Sequence, residues 1–255
     1  MASDQAVLYQ VQDGVARITL NRPEKRNALI PALISGLRDA LADSSRDASV
    51  RVVVLRGAGK DFCSGMDLRA FHEGLGGDAL QYREEARRMA VLFLEMRHHP
   101  RPIVAAVHGR ALGGGCGIAT AADLLVASHS AQFGYPEVNV GFVPAMVMAI
   151  LRRAVTEKRA FEMIVSGESL TAQTACDHGM VNRVFADQTF DLDVDAYVAR
   201  LAAKSATAIT LAKQLFYRTD AVGFEAAVEA GADTNAIART TPDFERGIAE
   251  FLKKR

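Results

Sequence analysis

The sequence has no tryptophan, few cysteines and no excess charge of either sign. Its three cysteines, Cys63, Cys116 and Cys176, are far apart and odd in number, which excludes a disulfide framework and a CxxC metal motif. The 30 basic side chains balance the 30 acidic ones, so no overall charge attracts nucleic acid or an anionic membrane. No apolar run of about 18 residues and no signal-peptide pattern is seen. These absences predict a cytoplasmic protein without a membrane or nucleic-acid partner.

The composition supports a folded body with a helical end. Hydrophobic residues make up 49% of the 255 residues and charged residues 24%, which is enough apolar surface for a sizeable core. No Pro- or Ser-rich linker and no low-complexity tract divides the chain. We predict an α/β body over residues 1–190 and a helical C-terminal region over residues 191–255.

Strand and helix patterns alternate along the predicted body. Two short strands flank an Asp-Gly turn at Asp13, and the runs VRVVVLRG, IVAAV and DLLVAS predict further buried strands. The segment ALIPALISGLRDALADS and residues 79–99 show helical spacing, and the second of these helices is expected to expose His98 and His99 at its end. Later patterns are helical, with Thr241 as the N-cap of the last helix.

Two strand-to-helix turns share an order of features that suits the binding of an acyl oxygen. Residues 51–68 contain an apolar strand, a loop, Gly65 and a helix start, and residues 103–118 repeat this order around three consecutive glycines. The first N–H groups of a helix have no partner inside it, and glycines let a ligand come close to the main chain. If the turns face each other, they form an oxyanion hole of main-chain donors; close packing alone is the alternative interpretation.

Other glycine motifs and covalent nucleophiles find little support. The segment RGAGKDF lacks the first glycine and the hydroxyl of a Walker A loop, and Ile118 breaks a dinucleotide-binding fingerprint. Ser64 lies outside a GxSxG motif, and we interpret Cys116 as a small buried apolar residue. The six histidines lack a spacing such as HExxH, so no metal site is predicted.

Six segments of the chain resemble the crotonase, or enoyl-CoA hydratase/isomerase, superfamily. They are LNRPEKRNAL, FCSGMDL, AAVHGRALGGGCGIA, FGYPEVNVGFVP, SGESLTAQTACDHGMVNRVF and FERGIAEFLKKR, in family order and with family spacing. The resemblance implies an α/β spiral of ββα units with a helical C-terminal trimerisation region, and trimers that often pair into hexamers. It also implies an acyl-CoA thioester substrate and no cofactor apart from the coenzyme A that this substrate carries.

The resemblance assigns thioester binding to main-chain groups of the two glycine turns. The family's oxyanion donors correspond to the N–H of Met66, directly after Gly65, and to the N–H of Gly114, directly after Gly113. The carbonyl of Ser64 corresponds to the group that meets the adenine amine of CoA.

Side chains near both ends of the chain correspond to further CoA contacts in this resemblance. Lys25 and Arg26 lie where the family places contacts with phosphate and pantetheine, and Asp67, in FCSGMDL, belongs to the same predicted substrate site. Phe251 and Lys254 match C-terminal residues that touch CoA bound to a neighbouring subunit. A homotrimer or hexamer is therefore expected to complete the site.

The chain has one of the two carboxylates found in two-glutamate hydratases of this superfamily. The position of the first, just after the triple glycine, is Gly117, and the second is Glu137 in YPEV. We therefore predict Glu137 as the catalytic acid–base group. In this respect the chain resembles bacterial hydratases of branched enoyl-CoA thioesters of the methylglutaconyl-CoA type.

A single carboxylate leaves several reactions open. Hydration of a 2-enoyl thioester requires Glu137 to activate water and to return the proton, and the resemblance to branched-chain hydratases favours it. Isomerisation of a 3-enoyl thioester needs only one base. Decarboxylation, thioester hydrolysis, and non-catalytic binding of acyl-CoA or RNA are further alternatives, of which the balanced charge disfavours RNA binding.

Overall fold

The first hairpin forms where the sequence places its Asp-Gly turn. In a computed structural model that describes residues 5–253, strand β1 (Val7–Gln12) pairs antiparallel with β2 (Val15–Leu20). Asp13 and Gly14 between them have φ values of 52° and 76°. Two-residue hairpin turns of type I′ need such positive values, which explains the Asp-Gly pair.

The described chain forms two sheets. The further strands are β3 (Val52–Gly57), β4 (Ile103–Val107), β5 (Arg110–Leu112), β6 (Leu124–Ser128), β7 (Gln132–Gly134), β8 (Ser169–Thr171) and β9 (Arg183–Phe185). A six-stranded sheet has the order β1-β2-β3-β4-β6-β9 and is parallel from β2 onward. A three-stranded sheet has the order β5-β7-β8.

Helices connect the parallel strands and make up the C-terminal part of the described chain. They are α1 (Pro31–Arg46), α2 (Leu68–Glu73), α3 (Ala79–His98), α4 (Gly114–Ala121), α5 (Ala145–Ala154), α6 (Glu157–Ser166), α7 (Ala172–Asp177), α8 (Phe190–Ala202), α9 (Ala206–Arg218), α10 (Phe224–Arg239) and α11 (Pro242–Lys253). The Thr241 hydroxyl accepts a hydrogen bond from the N–H of Phe244 at 3.3 Å, as expected for the N-cap of α11.

Both faces of the six-stranded sheet are buried. On β3, Val53 and Leu55 belong to the larger core together with residues of α1, α3 and α4. Val52 and Val54 point to the other face, where Phe190 and its neighbours on α8 cover them. A central strand buried on two faces reads as a continuous apolar run, which is the pattern of VRVVVLRG. Helix α8 therefore packs directly on the sheet, and the division of the chain at residue 190 stays a prediction.

A buried ion pair attaches α9 to the body. The Nζ of Lys213 lies 2.7 Å from Oδ2 of Asp123, and the hydroxyl of Tyr217 donates to Oδ1 of the same carboxylate at 2.7 Å. The main-chain N–H of Ile103, at the start of β4, also donates to Asp123 Oδ2 at 2.6 Å. These bonds join the C-terminal helices to the central sheet.

The prediction that His99 lies exposed at a helix end is wrong. Helix α3 ends at His98, and the chain then turns so that His99 is only 5% exposed. Its Nε2 lies 3.1 Å from Oγ of Ser44, and its Nδ1 accepts from the N–H of Arg101 at 3.1 Å. Burial lowers the pKa of His99. The imidazole is a buried structural group that joins α3 to α1.

Candidate active site

A cleft of about 900 Å³ opens where the two glycine turns meet α2 and the segment after β7. Most of the site residues predicted from the sequence line it, namely Lys25, Ser64, Gly65, Met66, Asp67, Gly113, Gly114 and Glu137. Arg26 and Phe251 do not appear in this lining; Arg26 adjoins it through its carbonyl, which accepts from Ser64 N–H at 3.0 Å. Phe251 lies on α11, and Lys254 falls outside the described residues.

The two glycine turns lie side by side. Cys63 pairs with Ala111 in a parallel bridge, and Leu112 N–H donates to the Cys63 carbonyl at 3.0 Å. A Cβ on Gly65 would lie 2.9 Å from the Leu112 carbonyl oxygen, and Gly65 has a φ of 92°. Close main-chain contact and backbone conformation thus both require glycine at this position.

Two main-chain donors of these turns remain free. In the described chain, neither the N–H of Met66 nor that of Gly114 donates a hydrogen bond. Gly114 is the first residue of α4, where helix geometry leaves the N–H groups without internal partners. Met66 pairs with Leu29 in a parallel β-bridge, but the hydrogen bonds of this bridge are made by the Gly65 carbonyl and the Asp67 N–H, so the N–H of Met66 is not used. Both donors border the cleft and can receive an oxyanion.

Glu137 places a free carboxylate oxygen beside these turns. It belongs to a 3₁₀ helix, Pro136–Val140, which directly follows β7. Its Oε1 lies 3.1 Å from the position that a Cβ on Gly113 would occupy. Its Oε2 is buried and has no hydrogen-bond partner in the described chain. Burial raises the pKa of Glu137, and shifts of this kind are frequent at functional sites, so this carboxyl group is a candidate for proton exchange.

Asp67, the other carboxylate of the predicted site, is already engaged by its surroundings. It caps α2 by accepting from the N–H groups of Arg69 and Ala70 at 3.2 and 3.5 Å. Its Oδ2 lies 3.4 Å from Nη2 of Arg22. Desolvation acts to raise the pKa of Asp67, but these N–H groups and the Arg22 guanidinium lower it overall. Because the pKa values of Asp67 and Glu137 shift in opposite directions, Glu137 is the better candidate for proton transfer.

The space beside Gly117, the position of the first carboxylate in two-glutamate hydratases, is filled by apolar side chains. Gly117 lies in α4, and a Cβ there would come within 2.4 Å of Cγ1 of Val147 and 3.2 Å of Cζ of Phe93. A side chain at this position therefore fits only if Val147 of α5 and Phe93 of α3 shift. An apolar wall thus replaces the first acid of the two-glutamate hydratases.

We expect Gly117→Glu to destabilise the protein without raising hydration of crotonyl-CoA. Overpacking of a buried site costs about 1–3 kcal/mol, which corresponds to roughly 2–10 °C in thermal midpoint for a chain of this size. Calorimetry and turnover would be measured beside Ala42→Glu, because Ala42 is an exposed residue of α1 outside the cleft lining. A Gly117→Glu variant as stable as this control and tenfold faster in hydration would contradict the description of the wall.

Cys116 lies behind the triple-glycine turn and takes no part in the cleft surface. It is fully buried, and burial raises the pKa of its thiol to about 11. Its interpretation as a small buried residue is confirmed. The neighbouring Tyr135 is also fully buried, and its hydroxyl lies 3.2 Å from Oγ1 of Thr120. This layer joins α4 to the strand that leads to Glu137.

Part of the cleft lining escaped the sequence analysis. The segment around α2 contributes Leu68, Phe71, His72 and Leu75, with Arg69 between them, and the segment after Glu137 contributes Asn139, Val140 and Phe142. The first four recur at i, i+3, i+4 and i+7, which is the spacing of one helical face. That spacing is a signal that could have identified them.

Metal sites and membrane spans are not found in the part of the chain that the structure describes. Within residues 5–253, no three His, Cys, Asp or Glu side chains lie together in a way that could hold a metal ion. No helix among the same residues is long and apolar enough to cross a membrane.

Comparisons with known proteins agree with this architecture. A relative in Thermus thermophilus is 39% identical over 251 residues, which covers 97% of this chain and 98% of the relative. The 2,3-dehydroadipyl-CoA hydratase of Escherichia coli is 35% identical and covers 96% of this chain and 94% of its own length. A crystal structure of an enoyl-CoA hydratase from Mycobacterium smegmatis has a TM-score of 0.93 and 35% identity, with 98% of this chain and 97% of that chain covered.

The family comparison confirms the resemblance stated from the sequence motifs. The model of the enoyl-CoA hydratase/isomerase family matches residues 10–255. The α/β fold with helices around it matches the solved structures of that family at a TM-score of 0.93. The chain therefore belongs to the enoyl-CoA hydratase/isomerase family of enzymes, the crotonase superfamily.

Proposed function

We propose that this enzyme hydrates a 2-enoyl-CoA thioester, with Met66 and Gly114 as main-chain oxyanion donors and Glu137 as the single acid–base group. One observation carries the proposal. The partner-free Oε2 of Glu137 and the two free N–H groups border the same cleft. General acid–base catalysis requires such a group within reach of the reacting atoms.

The proposed reaction adds water in two proton transfers. The Glu137 carboxylate takes a proton from water as the water oxygen bonds to C3. The electron pair of the C2–C3 double bond then moves toward the thioester oxygen, where the N–H groups of Met66 and Gly114 stabilise the enolate. Glu137, now a carboxylic acid, returns the proton to C2 as the carbonyl re-forms. The sum is the addition of one water, and the carboxylate is regenerated.

Isomerisation of a 3-enoyl-CoA is the second candidate, because an apolar wall occupies the place of a second acid. Val147 and Phe93 fill the space next to Gly117. Moving a double bond requires one base, which removes a proton from C2 and returns it at C4. A panel of 2-enoyl- and 3-enoyl-CoA thioesters with mass spectrometry separates the two reactions. Hydration yields a product heavier by one water, whereas conversion of 3-enoyl thioesters alone, without change of mass, would overturn our proposal.

Coenzyme A enters the proposal as part of the substrate, and no separate cofactor is needed. Lys25 and the Ser64 carbonyl lie in the cleft lining, where they can meet the phosphates and the adenine amine. Arg26 adjoins this region, and Phe251 and Lys254 remain proposed contacts from a neighbouring subunit. Since the Asp67 carboxylate caps α2, we assign Asp67 the positioning of the Met66 turn.

We expect the protein to form a trimer or hexamer in solution. The C-terminal helices carry large apolar side chains that are exposed in the single chain, among them Phe224, Val228, Ile237, Ile248 and Phe251. Contiguous exposed apolar side chains are typical of protein interfaces. Light scattering at micromolar concentration should give the mass of three or six chains, and the mass of one chain would contradict this expectation.

A reducing, cytoplasmic location also remains part of the proposal. The free cysteines Cys63, Cys116 and Cys176 support it, because oxidising compartments favour disulfides. Cys176 is only partly buried, so its reaction with a membrane-impermeant thiol reagent tests the location: reaction in lysed but not in intact cells is expected, and equal reaction in both would contradict it.

A further inference from the structure

Two aromatic rings of the cleft lining contact each other. Phe71 of α2 and Phe142, which follows the 3₁₀ helix of Glu137, pack edge to face with ring centres 5.3 Å apart and planes at 73°. Both rings belong to the cleft lining. Their contact joins α2 to the segment that follows Glu137.

The order of groups along the chain shows which part of a substrate would reach these rings. Ser64 leads through Met66 to Leu68 and then to Phe71, and all four line the cleft. In the proposed function, CoA lies near Ser64 and the thioester oxygen lies at Met66. In that arrangement, the part of the lining that remains for the acyl chain includes α2 with Phe71.

Phe142 is held at a set distance from the proposed base. Its main-chain N–H donates to the Glu137 carbonyl at 2.9 Å. The ring contact with Phe71 links this segment to α2, whose N-cap is Asp67, the residue after Met66. The aromatic pair thus has a defined place relative to both the base and one oxyanion donor.

We propose that Phe71 and Phe142 form the end wall of the acyl site and restrict the substrate to short, apolar acyl chains, an inference that rests on the proposed function for its orientation. Leu68, Leu75 and Val140 line the same part of the cleft and supply apolar contacts. A chain that reaches the ring pair must separate the rings to extend further. Each methylene in an apolar pocket changes discrimination by roughly tenfold or more.

Both phenylalanines can be replaced without removing a side chain from the buried core. Phe71 is 39% exposed and Phe142 is 47% exposed, so neither belongs to the buried clusters. We therefore expect Phe71→Ala and Phe142→Ala to fold with thermal midpoints close to that of the parent. Phe161→Ala is the matched control, since Phe161 is an exposed phenylalanine on α6 outside the cleft lining.

The test is the binding of saturated acyl-CoA thioesters, measured by titration calorimetry on the full chain. The Kd ratio of butanoyl-CoA to octanoyl-CoA reports chain-length preference without requiring turnover. We expect Phe142→Ala and Phe71→Ala to shift this ratio at least tenfold toward octanoyl-CoA, Phe142→Trp to shift it the other way, and Phe161→Ala to leave it unchanged. Ratios that stay within twofold of the parent in all variants would overturn the end wall.

Turnover separates a failure of this inference from a failure of the proposed function. If the parent protein hydrates no 2-enoyl-CoA yet the binding ratios shift as expected, the end-wall proposal is supported and the hydratase proposal is wrong. If crotonyl-CoA is hydrated but the Kd ratios do not change among the variants, only the end-wall proposal is wrong. Stronger binding of adipyl-CoA than of hexanoyl-CoA would also contradict an apolar end wall and would point to Arg69 or His72 of α2 instead.

Discussion

Replacing Glu137 by glutamine should lower kcat on the preferred 2-enoyl-CoA toward the upper end of the roughly 10²–10⁴-fold range of general acid–base catalysis. Glutamine keeps the shape of the side chain but can neither take a proton from water nor return one to C2. In the proposed reaction one group carries both transfers, because apolar side chains surround Gly117, the position of the first acid in two-glutamate hydratases. The Kd for CoA thioesters should change little, since our proposal assigns binding of the thioester oxygen to main-chain N–H groups.

The measurement for Glu137→Gln is kcat by steady-state kinetics, with Kd from calorimetry on the same preparation. Glu168→Gln is a suitable control, because Glu168 is exposed and lies outside the cleft lining. Turnover within threefold of the parent would show that the proton carrier lies elsewhere.

The pH dependence gives the same test a second readout. A general base must be ionised, and burial raises the pKa of Glu137 above its usual value. The parent enzyme should therefore lose activity as the pH falls through this raised pKa. The residual activity of Glu137→Gln should lack that decline.

Gly114→Val should lower kcat/KM by about 10²–10³-fold, the loss seen when one oxyanion donor is removed. A Cβ on Gly114 would lie 2.9 Å from Cδ1 of Leu29 and 3.7 Å from Cε of Met89. Leu29 pairs with Met66 in a parallel bridge. The new side chain should therefore crowd Leu29 and displace the first turn of α4. Through Leu29 it should also disturb Met66, the other proposed donor.

The kinetics of Gly114→Val need a fold control. Ala42→Val places the same side chain at an exposed position of helix α1, outside the cleft lining. Circular dichroism and the oligomeric mass show whether both variants assemble. A Gly114→Val protein that assembles normally and retains full turnover would remove Gly114 from the oxyanion hole.

Local sequence signals predicted the elements that hold the candidate site. The hairpin at Asp13, the buried strand β3 and the glycine turns are encoded by neighbouring residues, since turn chemistry and strand burial leave a short pattern. The family motifs then identified Met66, Gly114 and Glu137, and the structure brings all three to one cleft.

Features that depend on distant parts of the chain were not visible in the sequence. His99 reads as an exposed helix end, but its burial depends on Ser44 of α1, 55 positions away. The contact of Phe71 with Phe142 likewise depends on how α2 lies against the segment after β7. The crowding around Gly117 was not predictable from neighbouring residues either, because it depends on Val147 of α5, which fills the space that another side chain would need.

Hydration of crotonyl-CoA in water enriched with heavy oxygen tests the central claim most directly. The account predicts that the parent enzyme yields 3-hydroxybutanoyl-CoA with one heavy oxygen on C3, and that Glu137→Gln yields this product about 10³-fold or more slowly. The thioester oxygen should not acquire the label. Absence of labelled 3-hydroxybutanoyl-CoA after incubation with the parent enzyme, or equal rates of labelled product formation for parent and Glu137→Gln, would contradict the account.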